Sequence, residues 1–329
     1  MIIPPRRYGK RPAPAGLVEI RAGRADSIGM KILILFSRLD EPMMAEVGTL
    51  LSDYADRLVV HRIEGNWKDD AELMKKLDRV SLIFILMGKE DLRADWCAFI
   101  SGYCLGKECG LVFYQREEMA LPPYMSAAVP CAGIEDLERQ VGLWRDRLKE
   151  EEARGRLHDM GLYLTPYHFL RCLEKGEKEA VSTFLLAGCS PDTVDEAGVP
   201  ALCLAARQGE TDICRLLLDS GCDLDAVASD RDNTALMDAA AGGNAELASM
   251  LISRGARLEQ KSKNEQTALM LAVGIGNARI ARLLLDAGAD PGAKDVLGMS
   301  AALYAKVLGH KDILEMLESR RNGPEPAKT

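Results

Sequence analysis

Thr267-Ala-Leu-Met-Leu-Ala-Val-Gly-Ile-Gly276, followed by Arg282-Leu-Leu-Leu-Asp-Ala-Gly-Ala-Asp290, is the clearest copy of a unit that recurs through the second half of the chain. Glycines stand at Gly176, Gly209, Gly243, Gly276 and Gly309, at spacings of 33, 34, 33 and 33 residues. A second series, Gly188, Gly221, Gly255 and Gly288, keeps spacings of 33, 34 and 33. Leucine-rich stretches fall between them: Phe184-Leu-Leu186, Leu216-Leu-Leu218, Met250-Leu-Ile252 and Leu283-Leu-Leu285. Small residues precede these in register, at Ala205-Ala206, Ala239-Ala240 and Ala272-Val273. A fixed period of this size marks a stacked repeat. Alanine lets paired helices approach closely, and the leucine run covers that surface. The glycine after each helix takes the left-handed conformation, where a Cβ is disfavoured. No unit buries its apolar face alone, so the stack is the core.

The unit resembles the ankyrin repeat, about 33 residues of one β-turn and two antiparallel helices. The family's Thr-Pro-Leu-His opening is replaced by Pro200-Ala-Leu-Cys203, Thr234-Ala-Leu-Met237 and Thr267-Ala-Leu-Met270. Thr165-Pro-Tyr-His168 looks like that motif but sits two residues out of phase, so the register follows the glycines. The expected organisation is an all-α solenoid of about five units over residues 165–322, with altered terminal units as caps. Leu173 replaces a small residue in the first unit; Lys306, Glu318 and Arg321 break the pattern in the last. The cysteines at 172, 189, 203, 214 and 222 fall on packing positions, where a thiol acts as a small apolar filler.

The resemblance implies protein binding through the turn tips and the inner-helix face. The tips are residues 192–199, 225–233, 259–266 and 292–299. The binding residues expected there and on the inner face are Arg207, Gln208, Asp225, Asp230, Arg231, Asp232, Asp238, Lys261, Ile275 and Asp295. The inner-helix ends run from polar to apolar: Arg207-Gln208, Ala241-Gly242, Gly274-Ile275, Val307-Leu308. That strip suits a partner's hydrophobic element, or else is ordinary packing at the end of a stack.

The first half alternates continuous apolar runs (31–36, 58–63, 81–87, 111–114 and a weaker 127–132) with helix-period segments (42–54, 70–77, 93–105, 134–151). Runs buried on both faces with intervening helices predict a parallel sheet in a flavodoxin-like three-layer α/β domain over residues 30–150. No glycine-rich phosphate loop follows the first strand, so a dinucleotide or P-loop site has no support. Leu82-Ile-Phe-Ile-Leu-Met-Gly88, Arg93-Ala-Asp-Trp-Cys-Ala-Phe-Ile-Ser-Gly-Tyr-Cys-Leu-Gly106 and Cys109-Gly-Leu-Val-Phe-Tyr114 together resemble a Toll/interleukin-1 receptor (TIR) domain. Ala94 stands where that family tends to have Ser. The resemblance implies a pocket at Ser37, Arg38, Gly65, Trp67, Glu90 and Trp96, and protein contact that includes self-association. Some TIR domains cleave NAD with a glutamate four residues after the Trp. That position here is Ile100, so NAD enters as a cofactor or substrate only under an alternative, hydrolase reading.

Residues 1–29 are rich in Pro and Arg and lack the apolar segment of a secretory signal, so they are expected as a disordered arm or a misassigned start before Met30. Residues 151–164 are expected as a solvated helical linker, and 323–329 as a disordered tail. Leu137, Val141, Trp144 and Leu148 form one apolar stripe in the preceding charged helix, with Glu135–Arg139 and Glu150–Arg154 as i,i+4 pairs.

Over its 329 residues the chain is 47% apolar but only 5% aromatic, which fits closely packed helices. Its net charge of −8 argues against a nucleic-acid partner. No apolar run approaches the about 20 residues of a membrane span. Nine cysteines without a C-x-x-C, with four histidines out of ligand spacing, argue against zinc and for reduced thiols in a cytoplasm. The expected function is an adaptor: the repeats recruit a protein, and the TIR-like domain makes a second protein contact without metal or cofactor.

Overall fold

The computed structural model describes residues 19–21, 30–36, 41–55, 57–63, 71–77, 80–86, 94–114, 121, 123–125 and 128–321. They divide into two compact units, with the boundary between Lys149 and Glu150.

The first unit is built on five parallel strands, β2 (Lys31–Phe36), β3 (Arg57–Arg62), β4 (Leu82–Leu86), β5 (Gly110–Tyr114) and β6 (Ala128–Cys131). Their spatial order is β3-β2-β4-β5-β6, the flavodoxin-like 2-1-3-4-5 arrangement. Because side chains alternate across a strand, each apolar run feeds two cores. Leu33, Leu35, Ile83, Ile85 and Phe113 face one layer, with α2 (Ala71–Lys76) and α3 (Ala94–Lys107). Ile32, Ile34, Phe84, Leu86 and Val112 face the other, with α1 (Glu41–Ser52) and the start of α4 (Ile134–Asp159). The three-layer α/β architecture is therefore present.

Within the stretch read as an arm, Glu19–Arg21 form a short edge strand, β1, antiparallel to β3. Extended backbone finds ladder partners on an exposed edge whatever its composition. The pairing expected between Glu135 and Arg139 is replaced by Asp136–Arg139 at 2.5 Å, an i,i+3 neighbour. Trp144 packs on the sheet as the stripe implied. Gly110 makes this possible: a Cβ there would lie 2.4 Å from both Leu82 Cδ1 and Trp144 Cε2.

Among the described residues, the second unit contains the end of α4 and ten further helices in five antiparallel pairs. The inner helices are α5 (Pro166–Glu174), α7 (Ala201–Gln208), α9 (Ala235–Ala241), α11 (Ala268–Gly274) and α13 (Ala301–Leu308). The outer helices are α6 (Lys178–Leu186), α8 (Thr211–Asp219), α10 (Ala245–Ser253), α12 (Ala278–Asp286) and α14 (Lys311–Arg321). Ala205, Ala239, Ala272 and Ala305 are fully buried where the inner helices meet. Thr234, Thr267 and Ser300 cap inner helices by accepting a backbone N–H. Both glycine series have positive φ throughout, from +70° at Gly176 to +99° at Gly288. Two of these glycines also make room. A Cβ on Gly176 would meet Glu210 Oε1 at 2.9 Å, and one on Gly276 would meet His310 Cε1 at 2.7 Å.

Two details differ from the sequence reading. Thr165-Pro-Tyr-His168 is a working helix start: Thr165 accepts the His168 N–H, with Pro166 in the first turn. The glycine register also holds, because α5 is longer than α9 or α11 and absorbs the two extra residues. The expected linker is helical through Asp159 and mostly exposed, with two buried positions. Helix α4 continues to Asp159, with Ala153 and Leu157 buried in the repeat core and Arg154 Nε donating to the Ala187 carbonyl. The first repeat is thus covered by α4 and does not cap itself. The expected tail lies outside the described residues.

Two substitutions test this packing. Gly110→Ala is expected to cost about 1–3 kcal/mol by overpacking against Trp144. Leu157→Ala is expected to cost about 2–5 kcal/mol by emptying a buried site at the start of the repeats. Urea unfolding of the full chain measures both, and wild-type midpoints would contradict the packing described.

Candidate protein-binding surface

Each turn between an outer helix and the next inner helix projects as a finger, whose sequence sets its shape. The residue two before the next inner-helix cap is left-handed in every finger: Gly198 at +74°, Asp232 at +56°, Glu265 at +55° and Gly298 at +73°. Neighbouring fingers are joined by backbone hydrogen bonds. The Ser229, Lys263 and Val296 N–H groups donate to the Gly198, Arg231 and Asn264 carbonyls at 3.1, 2.9 and 3.2 Å. Carboxylates at the finger bases add a second ladder. Asp192 accepts the Asp223 N–H (2.7 Å), Asp225 the Arg257 N–H (2.8 Å) and Glu259 the Asp290 N–H (2.8 Å). The recurring acid at this register position was the available sequence signal for that role.

The expected binding residues separate into two groups. Arg207 donates to both oxygens of Asp230 at 2.8 and 2.9 Å and, through Nε, to Asp238 at 2.8 Å. The Asp238 carboxylate is 3% exposed and also accepts from Asn233. Asp295 is buried and accepts the Leu297 and Met299 N–H groups and the Tyr304 hydroxyl. These four residues are engaged inside the molecule, and Asp295 shows the turn chemistry of a short acidic side chain bonded to nearby backbone. Asp225 is likewise engaged with Arg257, and Lys261 donates to the Lys294 carbonyl and Glu265. Gln208, Arg231 and Ile275 remain exposed, and Asp232 stands at the finger bend.

The inner-helix ends reach the surface. Ala241, Gly242 and Gly274 are exposed, and Ile275, Val307 and Leu308 are 49%, 67% and 48% exposed. Successive inner helices pack on one another, so these ends form a row along the stack. A groove of about 850 Å³ also opens between α5 and the first finger. Sequence reading did not find it, although the out-of-phase Thr165-Pro-Tyr-His168 stretch marked the longer helix that borders it.

Among the residues assigned to the TIR-like pocket, Ser37, Arg38, Gly65, Trp67 and Glu90 lie outside the described residues, and Trp96 is placed only as a backbone position in α3. Ile100 is 1% exposed in the core, and the buried Ser101 Oγ beside it has no hydrogen-bond partner among the described residues. The repeat cysteines behave as packing residues. Burial pushes the Cys203 and Cys214 thiols up to about 12, which keeps them protonated. Among the described residues, no helix is long and apolar enough to cross a membrane.

Arg207 hydrogen bonding holds the Asp230 carboxyl below its ordinary value. A depressed carboxyl stabilises the fold fully above its unfolded value of about 3.9, and this is lost as pH falls through the folded value. Arg207→Met is therefore expected to cost about 2–4 kcal/mol at neutral pH, since it leaves Asp238 buried without its cation. The loss should shrink below about pH 4 as the Asp230 carboxyl protonates. Urea unfolding at both pH values checks this; a loss independent of pH would remove the ion pair as the cause.

Comparison with known proteins bears on both units. The ankyrin-repeat family model (three copies) matches residues 169–262 and 255–327. A protein of Treponema pallidum (strain Nichols), described as ankyrin repeat-containing, is 30% identical over 286 residues, which cover 84% of this chain and 96% of that protein. The shared span reaches beyond the repeats into the first unit.

Proposed function

We propose, since this chain belongs to the ankyrin repeat-containing proteins, that it is an adaptor whose repeat stack recruits a protein partner while the α/β unit makes a second protein contact. Ankyrin repeats generally mediate protein–protein interaction. The observation that carries the reading here is the exposed row of inner-helix ends, with Ile275, Val307 and Leu308 presented to solvent beside fingers already braced from within. Apolar side chains exposed together on one face mark an interaction surface. Braced fingers also reduce the ordering cost of association.

For the α/β unit the proposal retains a TIR-like domain, with a protein or a second copy of the chain as its contact. Its support is the pattern around Trp96-Cys97 and the five-stranded parallel sheet. The NAD-cleaving alternative has no observation in its favour, since Ile100 offers no carboxylate and is enclosed. A cytoplasmic setting belongs to the same reading, supported by cysteines that serve as packing residues.

The test is affinity capture with the full chain, compared across variants. Ile275→Asp is expected to lose proteins recovered by the wild type by about tenfold, as an interface anchor would. Leu186→Asp, at an exposed outer-helix position, should leave recovery unchanged. Equal recovery by both variants would move the partner surface elsewhere.

A further inference from the structure

The groove beside α5 is a place that the next repeat fills from within. Its lining includes Tyr167, Leu170, Arg171, Glu174, Val194 and Glu196, and its about 850 Å³ lies in the size range of ligand sites. In the second repeat the corresponding space holds the Arg207 guanidinium, spanning Asp230 and Asp238. Register identifies the counterparts. Arg207 lies two residues before the left-handed Gly209, and Glu174 lies two before Gly176. Asp230 lies four residues before the helix cap Thr234, and Glu196 lies four before Pro200. Asp238 lies four residues after Thr234, and Leu204 lies four after Pro200. The first repeat thus keeps one acceptor, gains a second where the cation was, and puts an apolar residue in place of the third group.

The other charges of the groove are engaged. Asp195 accepts the Ala197 and Val199 N–H groups, and Lys175 pairs with Glu177 at 3.5 Å. Arg171 donates to the Tyr167 hydroxyl at 2.7 Å and lies over its ring at 6.0 Å. Glu174 and Glu196 are exposed and make no ion pair or hydrogen bond among the described residues. Beside them Tyr167 and Val194 are 61% and 51% exposed.

We propose that this groove binds an arginine of an extended partner segment, with its guanidinium between Glu174 and Glu196 and an adjoining apolar side chain against Tyr167 and Val194. The proposal rests on the protein-binding reading and names the partner's chemistry at one end of the stack. Glu174, Asp195 and Glu196 set against Arg171 and Lys175 leave the lining net negative, which favours a cation at the two unpaired carboxylates. The planar fork of arginine matches a carboxylate as Arg207 matches Asp230, which an ammonium does not.

The probes are labelled Gly/Ser peptides carrying an adjacent Arg and Leu, with copies in which citrulline or Asp replaces the Arg. Fluorescence anisotropy follows their binding to the full chain. The Arg peptide is expected to saturate below about 1 mM, and both copies should bind about tenfold more weakly or worse. Glu196→Gln should weaken the Arg peptide about tenfold. Glu174→Arg changes an exposed residue and supplies the cation from within, opposite Glu196. It should abolish binding while the circular dichroism of the chain is unchanged. No saturation, equal binding of the citrulline copy, or full binding by Glu174→Arg would each overturn the proposal. Partner capture that survives Glu174→Arg but is lost with Ile275→Asp would leave the adaptor reading standing without this groove.

Discussion

Repeats in the second unit meet across alanines and across glycines that have no Cβ where the next repeat arrives. Glu210 and His310 occupy space that a side chain on Gly176 or Gly276 would claim. Asn244 and Asn277 extend the same contact by donating to the carbonyls of Gly209 and Gly243 while capping their own helices. The glycine therefore serves two neighbours at once. It ends one helix in a conformation other residues resist, and it admits the polar residue that begins the next outer helix. A stack held by nearest-neighbour contacts has no remote contact to substitute for a lost one.

Much of this was legible because period and chemistry agreed. The glycine series located both helix ends, and the alanine and leucine runs located the buried faces. In the first unit the continuous apolar runs marked β2 through β6, since strands covered on both sides leave no polar alternation to misread. The misses have physical reasons. Helix α4 was divided into a domain helix and a linker because its second half is strongly charged. Its apolar attachment to the repeats is Ala153 and Leu157, and two small or medium side chains among many charges give a weak period. For the acids of the repeats, a sequence shows charge but not what the fold has already bonded. Asp238 and Asp295 are satisfied inside the molecule.

The surface available to a partner is therefore what remains after the fingers have braced themselves. Arg207 is held by Asp230 and Asp238. Ile275 and the inner-helix ends stay exposed among the described residues. The same comparison, applied repeat by repeat, separates a groove the protein fills from one it leaves open. Internal repetition thus supplies a reference state within one molecule. Where one copy departs from the others at matched positions, the change of chemistry can be read directly.

Helix α4 also sets an order of events. During synthesis the chain emerges from its N-terminus, and domains close as units. The first half of α4 can close on its sheet as soon as Trp144 and Leu148 are available. The surface that buries Ala153 and Leu157 belongs to helices made later. Until then the second half of the helix carries an apolar stripe without its cover. Glu150, Glu151, Glu152 and Arg154 surround those two apolar positions with charge, the pattern that opposes aggregation of exposed apolar segments.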